Sequence, residues 1–414
     1  MLNLKSYIAE AAGKNLHMTH IEDQVIYGGV SGARQAIFAL RSLRDMLAGH
    51  ATKSVNVTVK WDGAPAIFAG TDPSDGKFFV AKKGLFNKNP KLYKTPADVD
   101  ADTSGDLADK LKTALMHMPK LGIKGVIQGD LMFTSNDLST ETIDGVKYYT
   151  FQPNTIVYAV PVDSEAGKNL KSAKMGIVVH TRYTGKDFAS MTASFDVKAA
   201  EFKTSNDVWL QDANLQDLSG TATLTKADTD EVTKALSEAG RIFQKIAGST
   251  LRDIESNPEF ASMIETYNNT FVRANTPIGD TTKHVAGLIK WINAKYQKEM
   301  DKRSTQAGKD AQAQKRDMIL KFFSPANKAN LKLVYDLQKA IVVAKLIIIN
   351  KLNRLSKTAT FVKTKNGFKT TGVEGYVAID RLNGGAVKLV DRMEFSYNNF
   401  SADIIKGWDK ASRS

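Results

Sequence analysis

The spacing of apolar residues divides the chain into helical and extended stretches. Ala33, Ile37, Leu40, Leu43 and Leu47 recur at steps of three and four, predicting a helix over Gly32–Leu47 with Ser31 as N-cap and Gly49 as its stop. The period then shortens. Val55, Val57 and Val59 alternate with polar residues in SVNVTVK (Ser54–Lys60), predicting a strand with one apolar face. Further strands are predicted at Ala64–Ala69, Lys77–Lys82, Val126–Phe133, Thr155–Val162 and Met175–Thr181, separated by turn clusters such as DPSDG and NKNP. One amphipathic helix, Ser104–Met116, is predicted within Ala97–Leu121, and the irregular stretch 193–224 supports only edge strands and loops.

From Lys226 to Lys357 the helical period returns, in Leu236, Ile242 and Ile246, in Val285, Leu288, Ile289 and Ile292, and in Leu331–Leu355. GSTL, NTPIGD and SPANK mark the breaks, with Pro277 and Pro325 near helix starts. Strands resume at Ala359–Thr364, Phe368–Thr371, Glu374–Asp380 and Ala386–Val390. The expected organisation is α+β: an N-terminal helical segment (1–50), a β-rich part (51–225), an all-helical insertion (226–357) and a resumed β-rich part (358–414).

Composition narrows the classes. With no Cys among 414 residues there is no disulfide, no Cys-ligated metal and no cysteine nucleophile, which fits a reducing compartment. The N-terminus lacks the apolar core and cleavage site of a signal peptide. The most apolar run, Ile341–Ile349, is too short to span a bilayer and contains Lys345. These features predict a soluble cytoplasmic protein with no membrane partner. The formal charge is +13, and 17 Lys/Arg against 5 Asp/Glu between Thr281 and Lys357 place most of it in the helical insertion. Such a region is either a surface for phosphate-rich polymers or a solvated helical face.

Four segments of the β-rich parts carry candidate chemistry. VKWDGAPAIF (Val59–Phe68) ends an alternating strand on Lys60 before an Asp62-Gly63 turn. A lysine held over a pocket is a nucleophile when its surroundings favour the neutral amine, and the same pattern is a common hairpin. GVIQGDLMF (Gly125–Phe133) carries Asp130 into an apolar strand, where a carboxylate is costly unless it is paired, ligand-bound or turned to water. TGVEGYVAID (Thr371–Asp380) opens a strand on Glu374, with Gly375 permitting close backbone approach. AVKLVDRMEF (Ala386–Phe395) sets Lys388 between Val387 and Leu389, so its ammonium reaches a polar pocket or snorkels outward.

Taken in order, these motifs resemble the covalent nucleotidyltransferase superfamily of ATP-dependent DNA and RNA ligases and mRNA-capping enzymes, and most of all an RNA ligase. The resemblance covers roughly Lys53–Thr181 and Thr358–Phe400. The whole chain also resembles tailed-bacteriophage proteins in which a HIEDQVIYGGVSGAR-type N-terminus accompanies the same KWDGAP strand, implying host-cell cytoplasm. The implied fold is an antiparallel-sheet, ATP-grasp-like nucleotidyltransferase core with N-terminal helices and the helical insertion.

By the same resemblance, Lys60 attacks the α-phosphate of ATP and holds AMP as a phosphoramidate, with Asp62 and Gly63 completing its motif. Asp130 stands where the family usually has a ribose-contacting Glu. Glu374 positions the lysine and ribose or, with Asp130, holds Mg2+ or Mn2+. Lys388 neutralises the α-phosphate as pyrophosphate leaves, and Val390 occupies the place of a second lysine. Lys83 or Lys82 in VAKKGLF touches ribose or substrate phosphate, and Tyr158 stacks on the purine or packs in the core. Only 26 residues follow Lys388, fewer than the C-terminal OB domain of DNA ligases and capping enzymes needs. The helical insertion is the candidate substitute, with Lys302, Arg303, Lys315 and Arg316 as RNA or DNA contacts. The implied activity is adenylation and joining of 5′-phosphate to 3′-hydroxyl ends. The alternatives are transfer to another acceptor (DNA, a capped RNA end or a protein) and non-catalytic nucleic-acid binding.

Other signals are weaker. GGVSGAR is a phosphate cradle at a helix start or a Gly-rich turn, and no Walker lysine follows it. His17, His20, Glu22 and Asp23 are metal-capable groups without a recognised ligand spacing. His180, near Arg182, faces the nucleotide pocket or packs in the core.

Overall fold

The computed structural model describes residues 19–49, 56–195, 197–215, 224–354, 358–379 and 386–408. The first eighteen residues with His17, and also Ser54, Val55, Leu355 and Asp380, lie outside the described residues. Helices α1 (Gln24–Tyr27) and α2 (Gly29–Leu47) form a tight corner. Helix α2 starts at Gly29 with Gly28 at the N-cap, so Ser31 lies inside the helix rather than capping it. Close packing explains the glycines: a Cβ on Gly32 would sit 2.1 Å from the Gln24 carbonyl oxygen. This use of GGVSGAR needs no phosphate.

Strands β1 (Asn56–Lys60), β2 (Ala66–Thr71) and β3 (Phe78–Ala81) come next, then helices α3 (Pro96–Asp100) and α4 (Gly105–His117). The predicted single helix is thus preceded by a second, short one, which Thr95 and Asp98 start with a reciprocal capping box. After them come β4 (Val126–Thr134), β5 (Ser139–Ile143), β6 (Val146–Phe151), β7 (Ile156–Pro161), α5 (Glu165–Ser172), β8 (Met175–Thr184), β9 (Thr192–Ser194) and β10 (Val208–Asp212). The helical stretch comprises α6 (Lys226–Lys245), α7 (Gly248–Glu255), α8 (Pro258–Arg273), α9 (Thr281–Asp301), α10 (Gln306–Leu320) and α11 (Pro325–Asn353). Strands β11 (Ala359–Thr364), β12 (Gly367–Thr370), β13 (Gly375–Ile379) and β14 (Ala386–Leu389) are followed by helix α12 (Arg392–Phe400) and the short β15 (Ile404–Ile405).

The architecture is α+β with largely antiparallel sheets. The first sheet has the order β1-β13-β14; the second runs β10-β8-β4-β2-β3 with β9 on β8; the third runs β12-β11-β7-β6-β5 with β15 on β11. Among the described strand pairs, β10 against β8 is parallel. The second and third sheets pack face to face through Met132, Phe133 and Val178 against Phe151, Tyr158 and Val160, while α4 covers the outer face of the second sheet through Leu111 and Ala114. Among the described residues no helix is long and apolar enough to cross a membrane.

The first sheet rests on the helices. Val57, Tyr376, Ala378 and Leu389 belong to one apolar core with Leu40 of α2 and Ile341 and Ile348 of α11. Because side chains alternate along a strand, this packing turns Lys60, Val377 and Lys388 to the opposite face. The period-two pattern of SVNVTVK therefore sets the direction of Lys60.

A buried charge cluster ties the N-terminal residues to this assembly. Lys345 is almost fully buried on α11, and its ammonium donates to both carboxylate oxygens of Glu22 at 2.8 and 2.9 Å. Arg392 donates to both oxygens of Asp23 at 3.1 and 2.9 Å, and to the Asn269 side chain. Glu22 and Asp23 are thus ion-pair partners rather than metal ligands, and the lysine inside the most apolar run is explained by its carboxylate. Removing one partner of a buried pair leaves an uncompensated charge and costs about 3–5 kcal/mol. Urea unfolding should show that loss for Glu22→Ala and for Lys345→Ala, and recovery of most of it in the double variant Glu22→Leu/Lys345→Met. A double variant no more stable than either single one would contradict the pairing.

Candidate active site

Lys60 closes β1 opposite Gly375 of β13, so the residue preceding Gly375 lies beside its side chain. The Lys60 ammonium donates to a Glu374 carboxylate oxygen. The Glu374 side chain is 9% exposed and that of Lys60 is 34% exposed, so the pair has a buried acidic half and a solvent-accessible amine. Burial pushes the Glu374 carboxyl above its ordinary range, opposed by the charge of Lys60. Gly375 is required by crowding, because a Cβ there would lie 2.5 Å from the Leu389 carbonyl oxygen and 2.5 Å from Val390 Cγ2.

The turn after Lys60 is fixed by Asp62. Its carboxylate accepts from the Asn154 side chain at 2.7 Å and from the backbone N–H groups of Thr155 and Ile156 at 2.8 and 3.2 Å. Its own N–H donates to the Tyr158 hydroxyl at 2.6 Å. Asp62 is buried and its oxygens are occupied, so it anchors the lysine turn instead of facing a nucleotide. Tyr158 is fully buried, with Trp61 packed against its ring at 4.8 Å, so the ring belongs to the core and not to a purine platform. Gly63 lies where a Cβ would be 2.6 Å from Asp130 Cβ, which brings the two motif strands together.

Asp130 pairs with Ala66 on one side and Val178 on the other, in the middle of the second sheet. Burial pushes its carboxyl up to about 7, against the pull of Lys60 and with the charge of Asp62 adding to the shift. Lys83 also acts on Asp130 and is exposed, whereas Lys82 is held by Asp102 at 2.9 Å.

Lys388 pairs with Val377 on β14, and its ammonium lies 6.0 Å from the centre of the Phe395 ring. Burial lowers its proton affinity, and the charge of Lys60 lowers it further. Val390 is a buried packing residue. His180 lies close enough to Lys60 to feel its charge. It occupies a bulge on β8, since Gln128 pairs with Thr181 and Gly129 with Val179. Burial first and Lys60 second push its pKa down to about 4, so the imidazole is neutral at neutral pH.

The structure thus brings Lys60, Glu374, Lys388 and Asp130 to one locus from β1, the residue preceding β13, β14 and β4, in two sheets, with Lys83 and His180 at its margin. Lys302 and Arg303 follow α9 and Lys315 and Arg316 lie within α10, in the helical part. Lys302 is bonded to Glu299 at 2.6 Å and Arg316 to Asp317 at 2.8 Å. Among the described residues no group of three or more His, Asp or Glu forms a metal cage. Mg2+ is commonly held by one or two carboxylates together with substrate phosphates and water. Glu374 and Asp130 would supply those carboxylates.

The raised carboxyl of Asp130 has a thermodynamic consequence. Its folded value of about 7 exceeds its unfolded value of 3.8, so between these pH values the folded protein keeps a proton that the unfolded chain has lost. Stability should therefore fall as pH rises through that window. Asp130→Asn should match wild type at pH 4 and exceed it at pH 8 in thermal melts; a difference that stays constant with pH would contradict the burial of this carboxyl.

Neither the curated proteins nor the solved structures include a match to this chain. One family model covers residues 15–404, nearly the whole sequence. The chain therefore belongs to the family of unknown function DUF6267.

Proposed function

We propose that the protein is an ATP-dependent polynucleotide ligase, favouring RNA, that works through a nucleotide held covalently on Lys60. The observation that carries this reading is the Lys60–Glu374 contact, with Lys60 acting electrostatically on Lys388 and Asp130 nearby. A buried carboxylate beside a solvent-accessible lysine supplies an acceptor for the proton that the ammonium must lose. The neutral amine then forms a P–N bond to the α-phosphorus of ATP while the bond to the bridging oxygen breaks, and pyrophosphate leaves with that electron pair. Lys388 offsets the charge that gathers on the α-phosphate. Mg2+ bound through Glu374 and Asp130 would screen the phosphate oxygens. A 5′-phosphate oxygen of the polynucleotide next attacks the same phosphorus and releases Lys60. The 3′-hydroxyl finally attacks the activated 5′-phosphate and displaces AMP.

The test uses purified protein, Mg2+, α-labelled ATP or α-labelled GTP, and nicked or single-stranded RNA and DNA. Wild type should take acid-labile label from ATP and join RNA ends, and Lys60→Ala should do neither while remaining folded. Label without joining of any end would point to another acceptor. No label with either nucleotide, from protein that is not already nucleotidylated, would overturn the reading in favour of a binding protein.

The basic balance of the helical part, with Arg303 and Lys315 exposed, supports a polynucleotide as the substrate. Arg303→Glu with Lys315→Glu should weaken RNA binding and reduce its salt dependence by about two phosphate contacts, leaving label transfer from ATP unchanged. An unchanged salt slope would remove these two residues from the binding surface.

A further inference from the structure

Helix α12 was not legible in the sequence, yet it touches the supports of three site residues. Its start is capped by Asp391, whose carboxylate accepts from the N–H groups of Met393 and Glu394 at 3.0 and 3.2 Å. Arg392, in its first turn, anchors the helix to Asp23 and Asn269. Phe395 lies beneath the Lys388 ammonium. Asn399 accepts from the Thr155 hydroxyl at 3.2 Å, and the Thr155 N–H in turn holds Asp62.

The closest link is to Glu374. One oxygen of Glu394 accepts from the Thr371 hydroxyl at 2.7 Å and from the Gly372 N–H at 3.0 Å. Asn398 donates to the same hydroxyl at 2.9 Å. Thr371 and Gly372 lead directly into Val373 and Glu374, so α12 fixes the start of the segment that presents Glu374 to Lys60. Gly372 allows the approach, since a Cβ there would meet Asn353 Nδ2 at 2.8 Å. From the other side, Asn353 at the end of α11 accepts from the Tyr376 hydroxyl at 2.8 Å, two residues beyond Glu374. Glu374 therefore stands on a short span clamped at both ends, by α12 and by α11.

We infer that Glu394 is a positioning residue for the reaction at Lys60: by holding Thr371 and Gly372 it sets the place of the Glu374 carboxylate against the lysine amine. Glu394 does not reach the reacting atoms, and its effect is on alignment. This inference rests on the nucleotidyl-transfer reading above. An error of about an ångström at a reacting group costs up to about a hundredfold in rate without a matching loss of binding. A carboxamide at this position keeps an oxygen that accepts both hydrogen bonds, so only loss of the acceptor should matter.

The experiment measures single-turnover transfer of label from α-labelled ATP to the full-length protein, over a range of ATP concentrations, alongside thermal melts. Glu394→Ala should slow the maximal transfer rate about tenfold or more, with the half-saturating ATP concentration nearly unchanged, and Glu394→Gln should restore most of the rate. Thr371→Val removes the hydroxyl donor at similar volume and should reproduce part of the loss, so it serves if Glu394→Ala does not fold. Wild-type rates in both Glu394→Ala and Thr371→Val, or a Glu394→Gln variant as slow as Glu394→Ala, would overturn the inference while leaving the lysyl-nucleotide reading intact. A wild-type protein that takes no label would instead remove that reading and this inference with it.

Discussion

One contact organises the molecule: the Lys60 ammonium against the Glu374 carboxylate, made by residues 314 positions apart in the chain. Neither group sits in a semi-buried place cheaply on its own, and each reduces the other's cost. The contact exists only because β1 pairs with β13 in one register. A slip of one residue would turn Lys60 into the apolar core and expose Val57 and Val59. The register is held by the helices packed behind the first sheet, where Tyr376, Ala378 and Leu389 join the core of α2 and α11. The helical part consequently backs the lysine sheet as well as carrying the basic surface.

A second layer of charge lies behind the first. Glu22 with Lys345 and Asp23 with Arg392 join the N-terminal residues, the longest helix and the start of α12 within a few ångströms of β14. Buried ion pairs contribute little net stability compared with apolar residues of the same volume, but they permit one arrangement and penalise others. Here they fix the elements that carry Lys388 and that hold the loop before Glu374. His20 pairs its backbone with Lys388, and its ring is driven by burial to a pKa of about 3. The segment that carries metal-capable side chains thus has a mechanical role.

Much of the locus was legible in the sequence because strands facing a core on one side write a period of two. The alternation of SVNVTVK and the glycines of Asp62-Gly63 and Glu374-Gly375 marked the positions where side chains turn outward or backbones crowd together. The hairpin of β5 and β6 had a signal too, an Asp144-Gly145 pair with both residues at positive φ, but its polar strands hid it. Helix α12 gave less: RMEFSYNNF has no apolar stripe, because its useful contacts are hydrogen bonds and an ion pair. Partner choice over long sequence separations was not legible at all. Nothing in the sequence told that Lys345 would find Glu22, that Asp62 would be taken by residues 154–156, or that Lys82 would turn to Asp102.

The central claim, that Lys60 is a nucleophile placed by Glu374, is tested most directly by mass spectrometry of the intact protein and its peptides after incubation with ATP and Mg2+. The predicted result is a single acid-labile increment of one nucleoside monophosphate, mapped to the peptide containing Lys60 and reversed by pyrophosphate. An unmodified protein, or an increment on any other residue, would contradict the claim.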